Sequence, residues 1–144
     1  YFPATKAPLA VKTTRASVEQ YLGQGEKILV VDDVESQREI AASILKQLNY
    51  QVATVASGEE ALEYLKSNPC DLIVLDMIMD PGIDGLETYK RILSLAPRQK
   101  TIIVSGFSES EQVKEAQRLG AGAYIKKPYS VETIGMAVKA ELAR

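Results

Sequence analysis

Four short motifs carry the side chains in this sequence whose types could do chemistry together: Asp32-Asp33 in VVDD, Asp76 closing LIVLD, Ser105-Gly106 in IIVSG, and Lys126-Lys127-Pro128 in YIKKP. Each has a plainer reading alone. An aspartate after an apolar run often caps a turn or a helix, a loop serine is ordinary, and a lysine is usually solvated. Taken together they assemble into something more specific. Three clustered carboxylates repel one another unless a cation or a proton intervenes. The sequence has no His, so a hard cation with oxygen ligands is favoured, Mg²⁺ before Zn²⁺. Mg²⁺ usually takes one or two carboxylates, waters and a phosphate oxygen. A further carboxylate beside it is a candidate nucleophile that would form an aspartyl phosphate. Ser105 could then donate to one phosphoryl oxygen and Lys127 could pair with another.

The totals exclude several other classes. A length of 144 residues suits one domain. Apolar residues make up 46% and charged residues 25%, a globular balance. A net charge of −2 gives no electrostatic reason to bind nucleic acid or an anionic membrane. The lack of His removes His-based metal sites, Ser-His-Asp and Cys-His catalysis, and histidine phosphorylation within this chain. Cys70 is the single cysteine. It allows no internal disulfide, fits a reducing compartment, and reads as a small buried hydrophobe rather than a reactive thiol. The apolar runs are too short to span a bilayer as helices.

The elements that must position these side chains are legible from Lys27 onward. KILVV reads as a strand buried on both faces. Ser36 to Leu48 places Ile40, Ile44, Leu45 and Leu48 on one helical face. Gln51 to Val55 is a second strand, and a helix follows whose Ser57 and Glu60 have capping-box spacing. Asp71 to Leu75 is a third strand and Leu86 to Leu95 a third helix, with Asp84 placed to cap it. Thr101 to Val104 is a fourth strand. Ser108 and Glu111 again have capping-box spacing, before a helix carrying Val113, Ala116 and Leu119. Ala123 to Ile125 is a short fifth strand. Ser130 to Leu142 is a last helix with Ile134, Ala137, Val138 and Leu142 on one side. Alternating strands and helices imply a mostly parallel sheet with helices on both faces. Ligands of such sheets sit outside the carboxyl ends of the strands, where all four motifs fall.

With VVDD, LIVLD, the PGIDG turn, IIVSG and AGAYIKKP in that order, the chain resembles the receiver domain of two-component response regulators, over residues 27 to 142. The resemblance implies an α/β, flavodoxin-like (βα)5 fold with a five-stranded parallel sheet in the order 2-1-3-4-5. It makes Asp76 the phosphoacceptor. Asp33 becomes the direct Mg²⁺ ligand, Asp32 the acid that reaches the metal through water, and the backbone carbonyl of Ile78 the third protein ligand. Ser105 matches the switch hydroxyl, Lys127 the phosphate-pairing lysine, with Lys126 solvated, and Tyr124 the switch aromatic, although a tyrosine in a short strand often serves packing alone. Phosphorylation would alter the surface of helix 4, strand 5 and helix 5. The implied partner is a histidine kinase or a histidine phosphotransfer domain, in a cytoplasmic setting, with no nucleic acid and no direct membrane contact. Dimerisation stays open. The fragment is not itself a kinase. Its own chemistry would be self-catalysed phosphorylation and dephosphorylation of the aspartate. One departure stands out: Asp80 is inserted between Met79 and Pro81, and reads as a solvated loop acid.

Residues 1–26 lack a sustained period and read as a linker with a short helical piece around Ser17 to Leu22; the receiver is expected over 27–144. YFPAT resembles the end of a histidine-kinase ATPase domain, so a hybrid sensor kinase, with a membrane anchor of its own or without, is the expected parent. A stand-alone regulator is the alternative. Two other functions share parts of the residue set. A haloacid-dehalogenase-like phosphatase also uses Asp, Ser/Thr, Lys and Mg²⁺, but needs an acid two residues after its nucleophile, where this chain has Ile78. A flavodoxin-type cofactor binder needs a Gly/Ser/Thr-rich phosphate loop after strand one, where this chain has DDVES.

Overall fold

The computed structural model describes residues 21–77, 83–106 and 111–144. Their elements are β1 (Lys27–Val31), α1 (Glu35–Gln47), β2 (Gln51–Val55), α2 (Gly58–Ser67), β3 (Leu72–Asp76), α3 (Gly85–Leu95), β4 (Thr101–Ser105), α4 (Glu111–Arg118), β5 (Tyr124–Lys126) and α5 (Val131–Leu142). The strands pair in parallel, in the order β2-β1-β3-β4-β5. This is the flavodoxin-like order expected from the sequence. β3 and β4 are buried throughout, as their unbroken apolar runs demand.

The two-residue strand period divides the core cleanly. Even-numbered residues of the three central strands (Ile28, Val30, Leu72, Val74, Ile102 and Val104) pack with Ala41, Leu45 and Leu48 of the α1 region and Ile134 and Val138 of α5. The odd-numbered set (Leu29, Val31, Ile73, Leu75 and Ile103) packs with Ala61 of α2, Tyr89 and Ile92 of α3, and Val113 and Ala116 of α4. Each fully buried Leu, Ile or Val contributes roughly 1.5–3 kcal/mol.

Two expected core positions are corrected. Ile40 is 49% exposed, and Ala41 is buried in its place. The sheet-facing row is Ala41, Leu45, Leu48, and Ile40 sits one residue, about 100°, off it. Leu119 is 40% exposed. α4 ends at Arg118, and Gly120 at φ +125 turns the chain so that Ala121 N–H reaches the Ala116 carbonyl at 3.0 Å. That 6→1 bond is the Schellman closure, and it buries Ala121 rather than Leu119. Asn49, at φ 73, ends α1 in the same way through Tyr50 N–H to Leu45 O at 3.1 Å.

Helix starts follow the capping signals. Ser57 Oγ accepts Glu60 N–H at 3.1 Å, and the Glu60 carboxylate returns to Ala56 N–H. Asp84 accepts Glu87 N–H at 2.9 Å, and Ser130 caps α5 through Thr133 N–H. Ser108 lies outside the described residues, as does most of the expected Ser17–Leu22 helical piece. The end of the compositional linker packs closely on the domain. Gly23 N–H donates to Leu48 O at 2.7 Å, Gly25 N–H to Asn49 O at 2.9 Å, and Lys139 Nζ to Leu22 O at 2.9 Å. Among the described residues no helix is long and apolar enough to cross a membrane.

Candidate functional site

The parallel topology brings the carboxyl ends of β1, β3, β4 and β5 to one rim. β1 hands the chain to Asp32 and Asp33, β3 ends in Asp76, and β4 ends in Ser105. Lys127 follows β5, and its N–H donates to Ser105 O at 2.7 Å, which fixes its register beside β4. Asp32, Asp76 and Ser105 are buried and Asp33 is half-buried. One carboxylate oxygen from each of Asp32, Asp33 and Asp76 lies within 4.8 Å of the other two. At such spacing each like-charge pair costs roughly 3 kcal/mol at an effective dielectric constant of about 20.

Lys127 offsets part of this charge. Its ammonium lies 2.6 Å from Asp32 Oδ2 and 3.6 Å from Asp76 Oδ2, with the side chain mostly buried. Asp32 is held at every polar atom. Its N–H donates to Val55 O at 3.2 Å, and its Oδ1 accepts Val34 N–H at 2.9 Å. Its carbonyl accepts Arg38 Nη1 at 2.8 Å. The donor set, carboxylates alone with neither imidazole nor thiolate, suits a hard divalent cation. One such cation together with the one ammonium would balance the three carboxylates.

The loop after β3 is pinched at its base. Gly85 N–H donates to Met77 O at 3.0 Å. A Cβ at Gly85 would meet Met77 Cα at 2.5 Å and the Asp76 carbonyl oxygen at 2.6 Å. Only glycine permits that approach, so the end of β3 that carries Asp76 and the start of α3 are held in contact. Glu59 of α2 accepts Ile83 N–H at 3.1 Å and holds the returning arm. Ile78 and Asp80 lie outside the described residues.

Tyr124 is half-buried against the α2–α4 side of the core. It pairs with Ile103 while Lys126 pairs with Ser105, so the hydroxyl and the aromatic sit on adjacent strands, two positions apart. Lys126 is exposed, as expected. Two residues near the site went unnoticed in the sequence. Arg38 was hidden in an ordinary charged helix start. Tyr129, which packs against the α1–α5 core, has its phenol pushed up to about 12, first by burial and then by the Asp32 and Asp76 charges. Cys70 is half-buried, and burial, then Asp71, pushes its thiol up to about 11. That fits a packing role rather than a reactive thiol.

A family model described as the response regulator receiver domain matches residues 28–139. The chain belongs to that family. The receiver is 34% identical over 114 residues to the sporulation initiation phosphotransferase F of Bacillus subtilis, covering 79% of this chain and 91% of that protein. It is 33% identical over 106 residues to the chemotaxis protein CheY of Thermotoga maritima, covering 73% of this chain and 88% of that protein. Among solved structures it is similar to a CheY-like response regulator receiver domain protein from Methanospirillum hungatei, with a TM-score of 0.78 at 28% identity, covering 83% of this chain and 95% of that one. Receivers of this family work with histidine kinases or phosphotransfer proteins and carry an acidic, cation-binding pocket. Among the described residues, Asp32, Asp33 and Asp76 form an acidic cluster that could hold such a cation. Neither the phosphatase nor the flavin-binding reading gains support from these matches.

Proposed function

We propose that Asp76 is the phosphoacceptor of this receiver, and that Asp33, Asp76 and the Ile78 carbonyl hold Mg²⁺ directly while Asp32 acts through water. The observation that carries the reading is the buried Asp76 at the end of β3, within 4.8 Å of two further carboxylates and 3.6 Å from the Lys127 ammonium. An Asp76 carboxylate oxygen attacks the phosphorus of a phosphohistidine. The O–P bond forms as the P–N bond breaks, and the departing imidazole nitrogen regains a proton from solvent. Lys127 pairs with a phosphoryl oxygen and Ser105 Oγ–H donates to another. Bound Mg²⁺ supplies charge neutralisation at the transferring oxygens. With no His in this chain, the phosphoryl group comes from a kinase or phosphotransfer domain elsewhere. Phosphorylation adds about two negative charges, which draws Ser105 toward them, turns Tyr124 inward and alters the α4–β5–α5 surface.

Incubation with a small phosphodonor such as acetyl phosphate, followed by intact mass, tests the assignment. A single phosphate adduct that needs Mg²⁺ and is lost in Asp76→Asn is expected. An adduct that persists in Asp76→Asn would place the acceptor elsewhere. A cytoplasmic setting, a hybrid-kinase parent and pairing of two receivers are consistent extensions of this reading. Of these, the parent rests on YFPAT, which lies outside the described residues.

A further inference from the structure

α1 starts without a capping side chain. Its N-cap is Val34, whose side chain offers no acceptor. The start is organised instead by Asp32, whose Oδ1 takes Val34 N–H at 2.9 Å, and by Arg38, whose guanidinium reaches back to the Asp32 carbonyl at 2.8 Å. Arg38 N–H also donates to Val34 O at 3.0 Å. The β1–α1 loop is thus clasped from both ends. A cation this close to a helix N-terminus works against the helix dipole, so the position calls for a compensating contact, and the carbonyl of Asp32 supplies it.

The four anchors of Asp32 differ in how they respond to a bound cation. The Lys127 contact and the Val34 N–H contact both use the carboxylate, for which the cation and its waters compete. The Arg38 contact uses the carbonyl and does not compete. That carbonyl and the Asp33 N–H are two ends of one planar peptide unit. Holding it sets the direction in which Asp33 leaves the chain, and therefore where its carboxylate meets Asp76.

We infer that Arg38 is a positioning residue for the cation-holding pair Asp32 and Asp33, acting through the Asp32–Asp33 peptide rather than by touching the cation. The inference rests on the reading of the site given above. Its sign separates it from simple electrostatics. A guanidinium acting only as a nearby positive charge opposes a divalent cation, and its removal would tighten binding. A guanidinium acting as a clasp supports the ligand geometry, and its removal weakens binding.

The test measures Mn²⁺ affinity of the full chain from the electron paramagnetic resonance signal of free ion, with Mg²⁺ as competitor, in wild type, Arg38→Met, Arg38→Lys and Asp33→Asn. Arg38→Met keeps the stem but loses donor and charge, and Arg38→Lys keeps both. Arg38→Met is expected to weaken Mn²⁺ binding about tenfold, the usual scale for groups that orient ligands, and Arg38→Lys to recover most of it. In the metal-free Arg38→Met protein the Val34 amide should exchange its hydrogen faster. The Mg²⁺ concentration that half-saturates self-phosphorylation should rise by more than the rate at saturating Mg²⁺ falls. Unchanged or tighter Mn²⁺ binding in Arg38→Met, with a melting midpoint near wild type, overturns the inference. Wild-type protein with no Mn²⁺ site, or a site indifferent to Asp33→Asn, overturns the reading of the site itself and the inference with it.

Discussion

The Lys127 ammonium sits 2.6 Å from Asp32 Oδ2 and 3.6 Å from Asp76 Oδ2, so it bridges the two carboxylates and its closer pair is with Asp32. Both side chains of that pair are almost fully buried, at 14% and 3% exposure. Breaking a buried pair from one side leaves a charge without compensation and typically costs about 3–5 kcal/mol. Lys127→Met is expected to lower the metal-free unfolding free energy by about 3 kcal/mol in a urea titration. Adding Asp32→Asn should recover much of it. Additive losses in the double variant would show that the two side chains do not depend on each other.

Residual repulsion within the carboxylate cluster gives a second expectation, of opposite sign. Asp76→Asn removes one of three clustered charges and should raise metal-free stability by roughly 1 kcal/mol, less than the bare pairwise repulsion because Lys127 and solvent already offset part of it. Mg²⁺ should stabilise the wild type by about 2.7 kcal/mol when present at a hundredfold over its dissociation constant. Asp33→Asn should lose most of that gain. Thermal melts with and without Mg²⁺ separate the two effects.

Gly85 carries the third. A Cβ there meets backbone atoms of Met77 and the Asp76 carbonyl, which cannot swing aside as a flexible side chain would. Gly85→Ala is expected to cost about 1–3 kcal/mol and to slow self-phosphorylation, because the displaced backbone carries Asp76. An alanine variant with a wild-type melting midpoint and rate would show that the loop relaxes without moving Asp76.

These three rest on features of unequal visibility in the sequence. The strand ends were legible because short β-branched runs such as KILVV and TIIV announce buried parallel strands, and a βαβ order forces their carboxyl ends together. The fold alone therefore gathers Asp32, Asp33, Asp76, Ser105 and Lys127. Ile40 misled because α1 carries apolar residues on neighbouring rows, and periodicity cannot tell whether Ala41 or Ile40 faces the sheet. Leu119 misled because the positive φ of Gly120 turns the chain just after α4 ends at Arg118. Arg38 and Tyr129 could not be ranked, since nothing in a charged helix start or a Lys-Pro-Tyr turn reveals which carbonyl or carboxylate lies nearby. Gly85 looked like a turn residue, whereas its role is a close approach between two backbones.

Tyr129 supplies a pH expectation. Its phenol is pushed up to about 12, by burial first and by Asp32 and Asp76 next. The folded state therefore holds a proton that the unfolded chain releases near the ordinary value of about 10. The stabilisation is complete below pH 10 and is lost as pH rises toward 12. Tyr50 and Tyr89 are also raised by burial, so the total slope has several sources. Tyr129→Phe should remove its share, making stability fall less steeply across that window. The tyrosinate absorbance of wild type minus variant should rise late, near pH 12. A difference curve centred near pH 10 would mean the phenol is not held by its surroundings.

The segment from Tyr21 to Glu26 gives the last expectation. Tyr21 packs where a side chain on Gly135 would collide with it, its Cβ lying 2.9 Å from the position a Gly135 Cβ would take. Leu22 O accepts Lys139 Nζ from α5 at 2.9 Å, while Gly23 and Gly25 donate to Leu48 O and Asn49 O at the end of α1. Gln51 N–H donates to Glu26 O at 2.9 Å, extending the β1–β2 ladder backward. These contacts bridge α5 and the α1–β2 corner. Each hydrogen bond contributes about 1 kcal/mol net, and ordering the segment cancels part of the sum. A chain beginning at Tyr21 should therefore exceed one beginning at Lys27 by about 2 kcal/mol in unfolding free energy. Gly135→Leu in the longer chain should lose that advantage by expelling Tyr21, while the same substitution in the shorter chain should cost less. Equal costs in both chains would show that Tyr21 does not use the space over Gly135.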